Sequence, residues 1–304
     1  MTRRGLLRPL WAALLTVAFF AAVEGSLAAF QALVFAVFWR PGAITDGPGW
    51  VIATVGDSVM AGGSPTPDQN CWPARLATSP LLRARGYQVT NYARPGSDFG
   101  RIAEQAQRFL DGQAAPRRAV LVTGGFNDCL TNQGPVVLGG SRQQPTQVAR
   151  GVLQRTRTYR FATQVVLRAV TRLAPPPATS PIGSKPSENC RAYVRSGLTT
   201  LATRAREKSA RLVVVTYPVA AWQPQFKSRG DMAARTLDAL LIEESQPLGL
   251  PVLDVVACVQ AQERVVGERF FYDDGLHLMP SGSAATARCV ARELPGILDD
   301  PAGR

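Results

Sequence analysis

The stretch that decides the fold is Val51-Ile52-Ala53-Thr54-Val55-Gly56-Asp57-Ser58. It begins as a β-branched apolar run and stops at a glycine, which is typical of a buried parallel strand. In open α/β sheets the ligand crevice lies just beyond the carboxyl ends of such strands, so Ser58 is predicted to lie at that crevice. A serine hydroxyl needs a base to take its proton, and the chain contains a single histidine, His277. Ser58 and His277 are therefore the candidate nucleophile and base.

Further apolar runs alternate with helical patterns along the chain. The sequence predicts strands at residues 87–92, 119–123, 212–217 and 251–256, and helices at residues 72–85, 98–110, 187–209, 231–244 and 281–294. Such alternation favours a parallel sheet with helices on both faces. The predicted fold is a three-layer α/β/α sandwich around a mostly parallel five-stranded sheet, with Asp98 as the N-cap of one helix.

An apolar segment precedes this domain. Leu10 to Trp39 is almost wholly apolar and follows Arg3, Arg4 and Arg8. Because about 20 apolar residues span a bilayer and flanking positive charge stays cytoplasmic, residues 1–40 are predicted to be a transmembrane anchor, with the rest of the chain periplasmic or at the cell surface. Cleavage near Ala28, which would release a secreted protein, is the alternative. A Pro/Gly linker at residues 41–49 leads to the folded domain at residues 50–304.

The net charge of +12 is concentrated in one stretch. Residues 131–186, interpreted as an insertion with a helix at 146–173, contain no acidic residue and eight basic ones, namely Arg142, Arg150, Arg155, Arg157, Arg160, Arg168, Arg172 and Lys185. Residues 142–172 are predicted to contact anionic lipid or an acidic polymer, and a solvated helix face is the alternative. Nucleic-acid binding is not expected, because the stretch lacks interleaved aromatic residues.

The cysteines and the single histidine limit the other chemistry. The five cysteines are Cys71, Cys129, Cys190, Cys258 and Cys289. Disulfides are plausible outside the cytoplasm, but their pairing is not predicted, and the odd number leaves at least one thiol outside any disulfide within the monomer. With no Cys-x-x-Cys and one histidine, neither a metal nor another cofactor is expected.

Two more motifs lie between Ser58 and His277. Asn91-Tyr92-Ala93-Arg94-Pro95-Gly96 and Gly124-Gly125-Phe126-Asn127-Asp128 each follow a strand-like run, and Asp274-Gly275-Leu276-His277 follows later. With the Gly-Asp-Ser motif, these segments resemble the blocks of the SGNH, or GDSL-type, hydrolase family in the same order. The resemblance spans roughly residues 50 to 296. It implies a flavodoxin-like SGNH fold and a serine esterase.

The resemblance also implies a role for each site residue. Ser58 attacks the carbonyl carbon, His277 transfers the proton, and Asp274 orients the imidazole, with Asp273 as the competing acid. The backbone N–H groups of Ser58 and Gly96 and the side-chain amide of Asn127 form the oxyanion hole.

Two further acidic residues are interpreted as structural. Asp128 follows the oxyanion residue, and Asp254 lies in the run predicted as the fifth strand.

Three functions are consistent with these features. The leading one is an extracytoplasmic, membrane-anchored esterase that hydrolyses O-acyl esters of a carbohydrate or lipid through an acyl-serine intermediate. An O-acyltransferase acting on a cell-envelope polysaccharide would use the same intermediate. A non-catalytic envelope-binding protein would keep the fold without the chemistry.

Overall fold

The computed structural model describes residues 49–61, 70–113, 115–131, 188–219, 229–272 and 275–300, together with positions between 15 and 33. The chain divides into two compact units: Met1–Arg40 with Val136–Ser180, and Pro41–Pro135 with Pro181–Arg304. The sheet belongs to the second unit. The predicted helix at residues 146–173 and the basic residues of the insertion lie outside the described residues.

Five parallel strands form one sheet in the order β2-β1-β3-β4-β5. The strands are β1 (Val51–Val55), β2 (Gln88–Asn91), β3 (Arg118–Val122), β4 (Arg211–Val215) and β5 (Val252–Leu253). In register, Val51 pairs with Gln88 on one side and with Arg118 on the other. This is the flavodoxin-like doubly wound order, in which the chain changes direction across the sheet between β1 and β3. The predicted parallel five-stranded sheet is confirmed.

The helices connect the strands and cover the sheet. They are α1 (Ser58–Ala61), α2 (Trp72–Ala77), α3 (Pro80–Arg83), α4 (Phe99–Gly112), α5 (Phe126–Thr131), α6 (Glu188–Glu207), α7 (Arg229–Ser245), α8 (Val256–Val266) and α9 (Pro280–Asp299), with a 3-10 turn at Gln246–Leu248. The predicted N-cap of α4 is confirmed, since the Asp98 carboxylate accepts a hydrogen bond from the N–H of Arg101.

The alternation of side chains along the strands produces two buried faces. Val51, Ala53 and Val55 of β1 pack in the cluster formed with α4, α6 and α7, whereas Ile52 and Thr54 are buried on the other side of the strand. There α9 packs against α2 and α8. Because successive side chains of a strand point to opposite faces, both faces are covered and the architecture has three layers.

The bounds of the predicted elements differ from those in the structure, and two of the differences have a clear local cause. The helix predicted at residues 72–85 is two short helices, because Ser79 precedes Pro80 and adopts the extended conformation that such a position favours. The fifth strand is shorter than residues 251–256: the Asp254 carboxylate accepts hydrogen bonds from the Thr216 hydroxyl and the Val256 N–H, and α8 begins there. Asp254 thus lies just after the strand and not within it, and its carboxylate joins Thr216 to the start of α8.

Two disulfides are present, Cys129–Cys190 and Cys258–Cys289. The second joins α8 to α9. Cys71 is buried and takes part in neither disulfide.

The described positions between residues 15 and 33 are helical. Five of their large apolar side chains are exposed over more than half of their surface, namely Leu15, Phe19, Phe20, Phe30 and Leu33. In the part of the chain that the structure describes, no helix has the length and apolar character needed to cross a membrane.

Candidate active site

Ser58 lies at the carboxyl edge of the sheet, where the chain turns from β1 into α1. The turn packs closely against β3: a Cβ at Gly56 would lie 2.6 Å from the carbonyl oxygen of Thr123. Any larger residue at position 56 would therefore push the two strand ends apart. The glycine allows β1 to run tightly beside β3 and places Ser58 directly after the buried Asp57.

His277 approaches Ser58 from a loop near the C-terminus. This loop is held by an isolated antiparallel bridge between Phe271 and Leu278, and the N–H of Tyr272 donates a hydrogen bond of 2.9 Å to the His277 carbonyl. The imidazole Nε2 lies 2.9 Å from the Ser58 Oγ, and both side chains are partly buried. The structure thus brings together two residues 219 positions apart at the distance that proton transfer needs.

The triad acid remains a prediction from the sequence. Asp274 and its competitor Asp273 both lie outside the described residues. The choice between these neighbouring carboxylates therefore stays as the sequence left it.

The two other predicted oxyanion residues lie together. Gly96 follows β2 with a φ of 72°, a left-handed conformation, and a Cβ there would meet nothing within 4 Å. Asn127 lies in the first turn of α5, and its Nδ2 donates a hydrogen bond of 2.9 Å to the carbonyl oxygen of Ser97, the residue after Gly96. A hydrogen bond thus joins the segment that contains Gly96 to the segment that contains Asn127.

The buried Gln105 of α4 forms hydrogen bonds with both the turn before Ser58 and the turn after Gly96. Its Oε1 accepts from the Gly56 N–H at 2.9 Å, and its Nε2 donates to the Gly56 carbonyl and, at 2.8 Å, to the Ser97 hydroxyl. The Arg94 N–H adds a hydrogen bond of 3.0 Å to the same Gly56 carbonyl. The turn before Ser58 is therefore fixed to the turn around Gly96.

Asp57 is a fully buried carboxylate immediately before Ser58. It accepts hydrogen bonds from the Val59 N–H at 3.0 Å and from the Tyr217 hydroxyl at 2.7 Å. Burial raises the pKa of Asp57 from its ordinary value of 3.8 to about 6, although these two bonds and the charge of His277 act in the opposite direction. Burial also raises the pKa of Tyr217 well above its ordinary value, so its hydroxyl stays a donor.

Asp128 and Cys129 hold α5 in place from the residues after Asn127. The Asp128 carboxylate accepts from the Phe99 N–H, at 3.1 Å for the closer oxygen, which joins α5 to the start of α4. Burial, and after it the charge of Asp98, raises the pKa of Asp128 to about 6. Cys129 bonds to Cys190 of α6. Asp128 thus has structural contacts, as the sequence interpretation expected.

Sequence reasoning missed Gln105 and Tyr217. Gln105 lies between Ile102 and Phe109 on the buried face of α4, and a polar residue on an apolar helical face is a signal that the sequence carries. Tyr217 follows β4 by two residues, and therefore lies at the sheet edge where ligand sites form in this class of fold.

Among the described residues, no group of three or more His, Cys, Asp or Glu side chains is arranged to hold a metal ion. The described site consists instead of a serine, an imidazole, and amide donors. These are the nucleophile, the base and the type of donor that acyl transfer uses, beside the acid that orients the base.

Comparisons with known proteins find one matching family model and several similar solved structures. The sequence model of the GDSL-like lipase/acylhydrolase family matches residues 54–285. Similar solved structures include a lipolytic protein of the G-D-S-L family from Veillonella parvula, which is 13% identical with a TM-score of 0.47 over 80% of this chain and 97% of that chain. A lipase/acylhydrolase from Enterococcus faecalis is 17% identical, with a TM-score of 0.47 over 82% of this chain and 96% of that chain. A comparison with curated proteins finds no match.

Proposed function

The chain belongs to the GDSL-like lipase/acylhydrolase family and is an acyl hydrolase, and on this premise we propose that it cleaves carboxylic esters through an acyl intermediate on Ser58. The observation that carries the proposal is the 2.9 Å distance between the His277 Nε2 and the Ser58 Oγ. In the neutral tautomer with its proton on Nδ1, Nε2 accepts the hydroxyl proton.

The reaction then proceeds in two halves. The Ser58 Oγ forms a bond to the ester carbonyl carbon while His277 takes its proton, and the tetrahedral intermediate collapses as His277 returns that proton to the leaving alcohol. In the second half, water gives a proton to His277 and attacks the acyl carbon. The bond to the Ser58 Oγ then breaks as His277 returns the proton to that oxygen, which releases the acid and restores Ser58. Asp274, or its neighbour Asp273, would stabilise the imidazolium that forms in both halves.

The negative charge on the intermediate requires donors that are already in position. We assign this role to the backbone N–H groups of Ser58 and Gly96 and to the Asn127 amide. The bond from Asn127 to the Ser97 carbonyl supports this assignment, because it holds the amide beside Gly96. One such donor is worth about 2.7 to 4 kcal/mol of transition-state stabilisation.

Steady-state hydrolysis of p-nitrophenyl acetate, butyrate and longer esters by the full-length protein tests the proposal. We expect Ser58→Ala to abolish hydrolysis and His277→Ala to slow it greatly, whereas Ser196→Ala, at an exposed serine of α6, keeps the wild-type rate. Hydrolysis that survives Ser58→Ala would refute the serine mechanism. If the folded protein hydrolyses none of these esters, a binding role in the cell envelope becomes the better interpretation.

For the natural substrate we propose an O-acyl ester of a carbohydrate or lipid outside the cytoplasm. The dependence of kcat/KM on acyl length separates a deacetylase from a lipase. The transferase alternative predicts that a glycan acceptor diverts the acyl group from water, so acyl-glycan would form faster than free acid. Exclusive formation of free acid at saturating acceptor would exclude transfer to that acceptor.

The extracytoplasmic location is supported by the cysteines. Cys129–Cys190 and Cys258–Cys289 are disulfides, and structural disulfides are rare where glutathione and thioredoxin keep thiols reduced. Alkylation of free thiols in intact cells, followed by peptide mapping, should find these four cysteines protected from alkylation. Recovery of all four as alkylated thiols would place the domain in a reducing compartment.

We further propose that residues 1–40 anchor the protein to the membrane. The apolar run from Leu10 to Trp39, the preceding arginines and the exposed apolar side chains between Leu15 and Leu33 support this proposal. Membranes washed with carbonate should retain the full-length chain, and deletion of residues 1–40 should release it. A mature protein that begins after Ala28 would instead indicate a cleaved signal segment.

The basic stretch at residues 142–172 is proposed to contact anionic lipid or polymer. Replacing Arg155, Arg157 and Arg160 with glutamine should weaken co-sedimentation with phosphatidylserine vesicles and reduce its salt dependence. Replacing the exposed Arg83, Arg117 and Arg264 with glutamine is the control for the same loss of three positive charges. Binding that is unchanged by the triple substitution would identify this stretch as a solvated face.

A further inference from the structure

Tyr217 joins two parts of the active site that are far apart in sequence. Its side chain is fully buried, and its hydroxyl donates a hydrogen bond of 2.7 Å to the Asp57 Oδ2. The same hydroxyl oxygen accepts a hydrogen bond of 3.3 Å from the N–H of Phe126. A phenol hydroxyl can donate one hydrogen bond and also accept one. The Tyr217 hydroxyl does both, with Asp57 as acceptor and Phe126 as donor.

The bond to Asp57 acts on the turn that carries the nucleophile. The other carboxylate oxygen, Oδ1, accepts from the Val59 N–H within the turn that begins at Ser58. Asp57 thus connects the Tyr217 hydroxyl to the backbone on both sides of Ser58. A buried carboxylate without hydrogen-bond donors has a large desolvation cost. Removal of the Tyr217 hydroxyl would therefore destabilise the native conformation of this turn.

The bond from Phe126 acts on the oxyanion donor. Phe126 is the first residue of α5 and directly precedes Asn127. The chain enters the helix through Gly125, whose φ of 107° is accessible mainly to glycine. The Tyr217 hydroxyl therefore holds the backbone immediately before Asn127.

We propose that Tyr217 is a positioning residue that couples the Ser58 nucleophile to the Asn127 oxyanion donor through a single buried hydroxyl. The inference rests on the proposed acyl-serine mechanism and adds a residue that belongs to none of the sequence motifs. Oxyanion donors act on charge that develops only in the transition state, so their displacement lowers kcat more than it changes KM.

Tyr217→Phe is the direct test, because it removes one oxygen atom and keeps the ring that fills the core. We expect kcat to fall by about tenfold or more, with KM within about twofold of the wild-type value. The matched control is Tyr87→Phe, since the Tyr87 hydroxyl also donates to a carboxylate, at 2.8 Å to Asp299. That variant should keep the wild-type kcat.

A general loss of folded protein must be separated from a loss of positioning. Active-site titration with a fluorophosphonate counts the molecules with a reactive Ser58, and kcat is then calculated per titrated site. For Tyr217→Phe we expect full labelling that proceeds more slowly. If kcat per titrated site equals that of Tyr87→Phe, the hydroxyl has only a structural role and the proposal is wrong.

Tyr217→Phe could fail to fold because the buried Asp57 carboxylate loses a hydrogen-bond donor, and a second pair of variants tests the proposal in that case. Asp57→Asn and Asp57→Asn/Tyr217→Phe have no carboxylate at this position. The double variant should still have a kcat at least about threefold below that of the single variant, since the contact with Phe126 is also lost. Equal values would overturn the proposal.

The wild-type protein and Ser58→Ala distinguish this failure from failure of the proposed function. If the wild type hydrolyses esters in a Ser58-dependent way and the Tyr217 variants match their controls, only the positioning role is refuted. If the wild type does not hydrolyse esters, the proposed function is refuted, and with it the role of Tyr217 in that reaction.

Discussion

The disulfide between Cys129 and Cys190 should stabilise the fold and also position the oxyanion donor. It closes a loop with a sequence separation of 61 residues, for which the loss of chain entropy in the unfolded state corresponds to about 4.3 kcal/mol. Cys129 lies two residues after Asn127 in α5, so the bond also fixes the helix that carries the amide. Cys129→Ala/Cys190→Ala should therefore lower both the free energy of unfolding and kcat.

The second disulfide provides the control. Cys258–Cys289 closes a separation of 31 residues, which corresponds to about 3.7 kcal/mol. It joins α8 to α9, neither of which contains a predicted site residue. The loop that it closes carries His277, but the bridge between Phe271 and Leu278 holds that residue independently of the disulfide. Cys258→Ala/Cys289→Ala should thus cause a similar loss of stability and leave kcat near the wild-type value.

The assay combines urea unfolding, followed by circular dichroism, with steady-state hydrolysis of p-nitrophenyl acetate. For Cys129→Ala/Cys190→Ala we expect an unfolding free energy lower by about 4 kcal/mol and a kcat per titrated site lower by about tenfold. A wild-type kcat in this variant would refute the positioning argument. A stability loss below about 1 kcal/mol in both variants would refute the loop-closure argument.

Two further predictions concern stability. Burial raises the pKa of Asp128 from 3.8 to about 6, so the folded state binds the carboxyl proton more tightly than the unfolded state does. The bound proton therefore stabilises the folded state at low pH, and this stabilisation is lost as the pH rises through that range. The unfolding free energy of Asp128→Asn relative to wild type should thus increase by about 2.4 kcal/mol between about pH 4 and pH 8, and a pH-independent difference would contradict it. Gly197→Ala should cost about 1 to 3 kcal/mol, because its Cβ would lie 2.3 Å from the Phe99 ring, whereas Gly296→Ala, with open space around its Cβ, should stabilise α9 by about 0.5 to 1 kcal/mol. Equal unfolding midpoints for these two variants would contradict the packing argument.

Strands β1, β3 and β4 were predictable because each is a short, almost wholly buried run whose composition differs sharply from its flanks. The run from Val51 to Val55 is buried on both faces, and a continuous apolar pattern is the local consequence of such burial. The short helices α1 and α5 were missed, since four or six residues are too few to show a helical period. Helix α8 was missed because its first residue, Val256, is apolar and continues the apolar run that was predicted as the fifth strand.

The site was predictable to the extent that its residues fall in short motifs. Ser58 and His277 could be paired from sequence because the chain offers a single histidine. Tyr217 could not be recognised in this way, since its partner Asp57 is 160 residues away and only the sheet order brings them together. The disulfide pairing was unpredictable for the same reason, because five cysteines allow several pairings and only the packing of the helices selects one.

Mass spectrometry of the acid-quenched protein during turnover of p-nitrophenyl acetate tests the serine mechanism most directly. We predict one added acetyl group per chain, located on the peptide that contains Ser58, and its absence in Ser58→Ala. In His277→Ala the acetyl group should accumulate much more slowly, because the hydroxyl has lost its base. Turnover with an acetyl group on another residue, or without any acetyl-enzyme, would contradict the central claim.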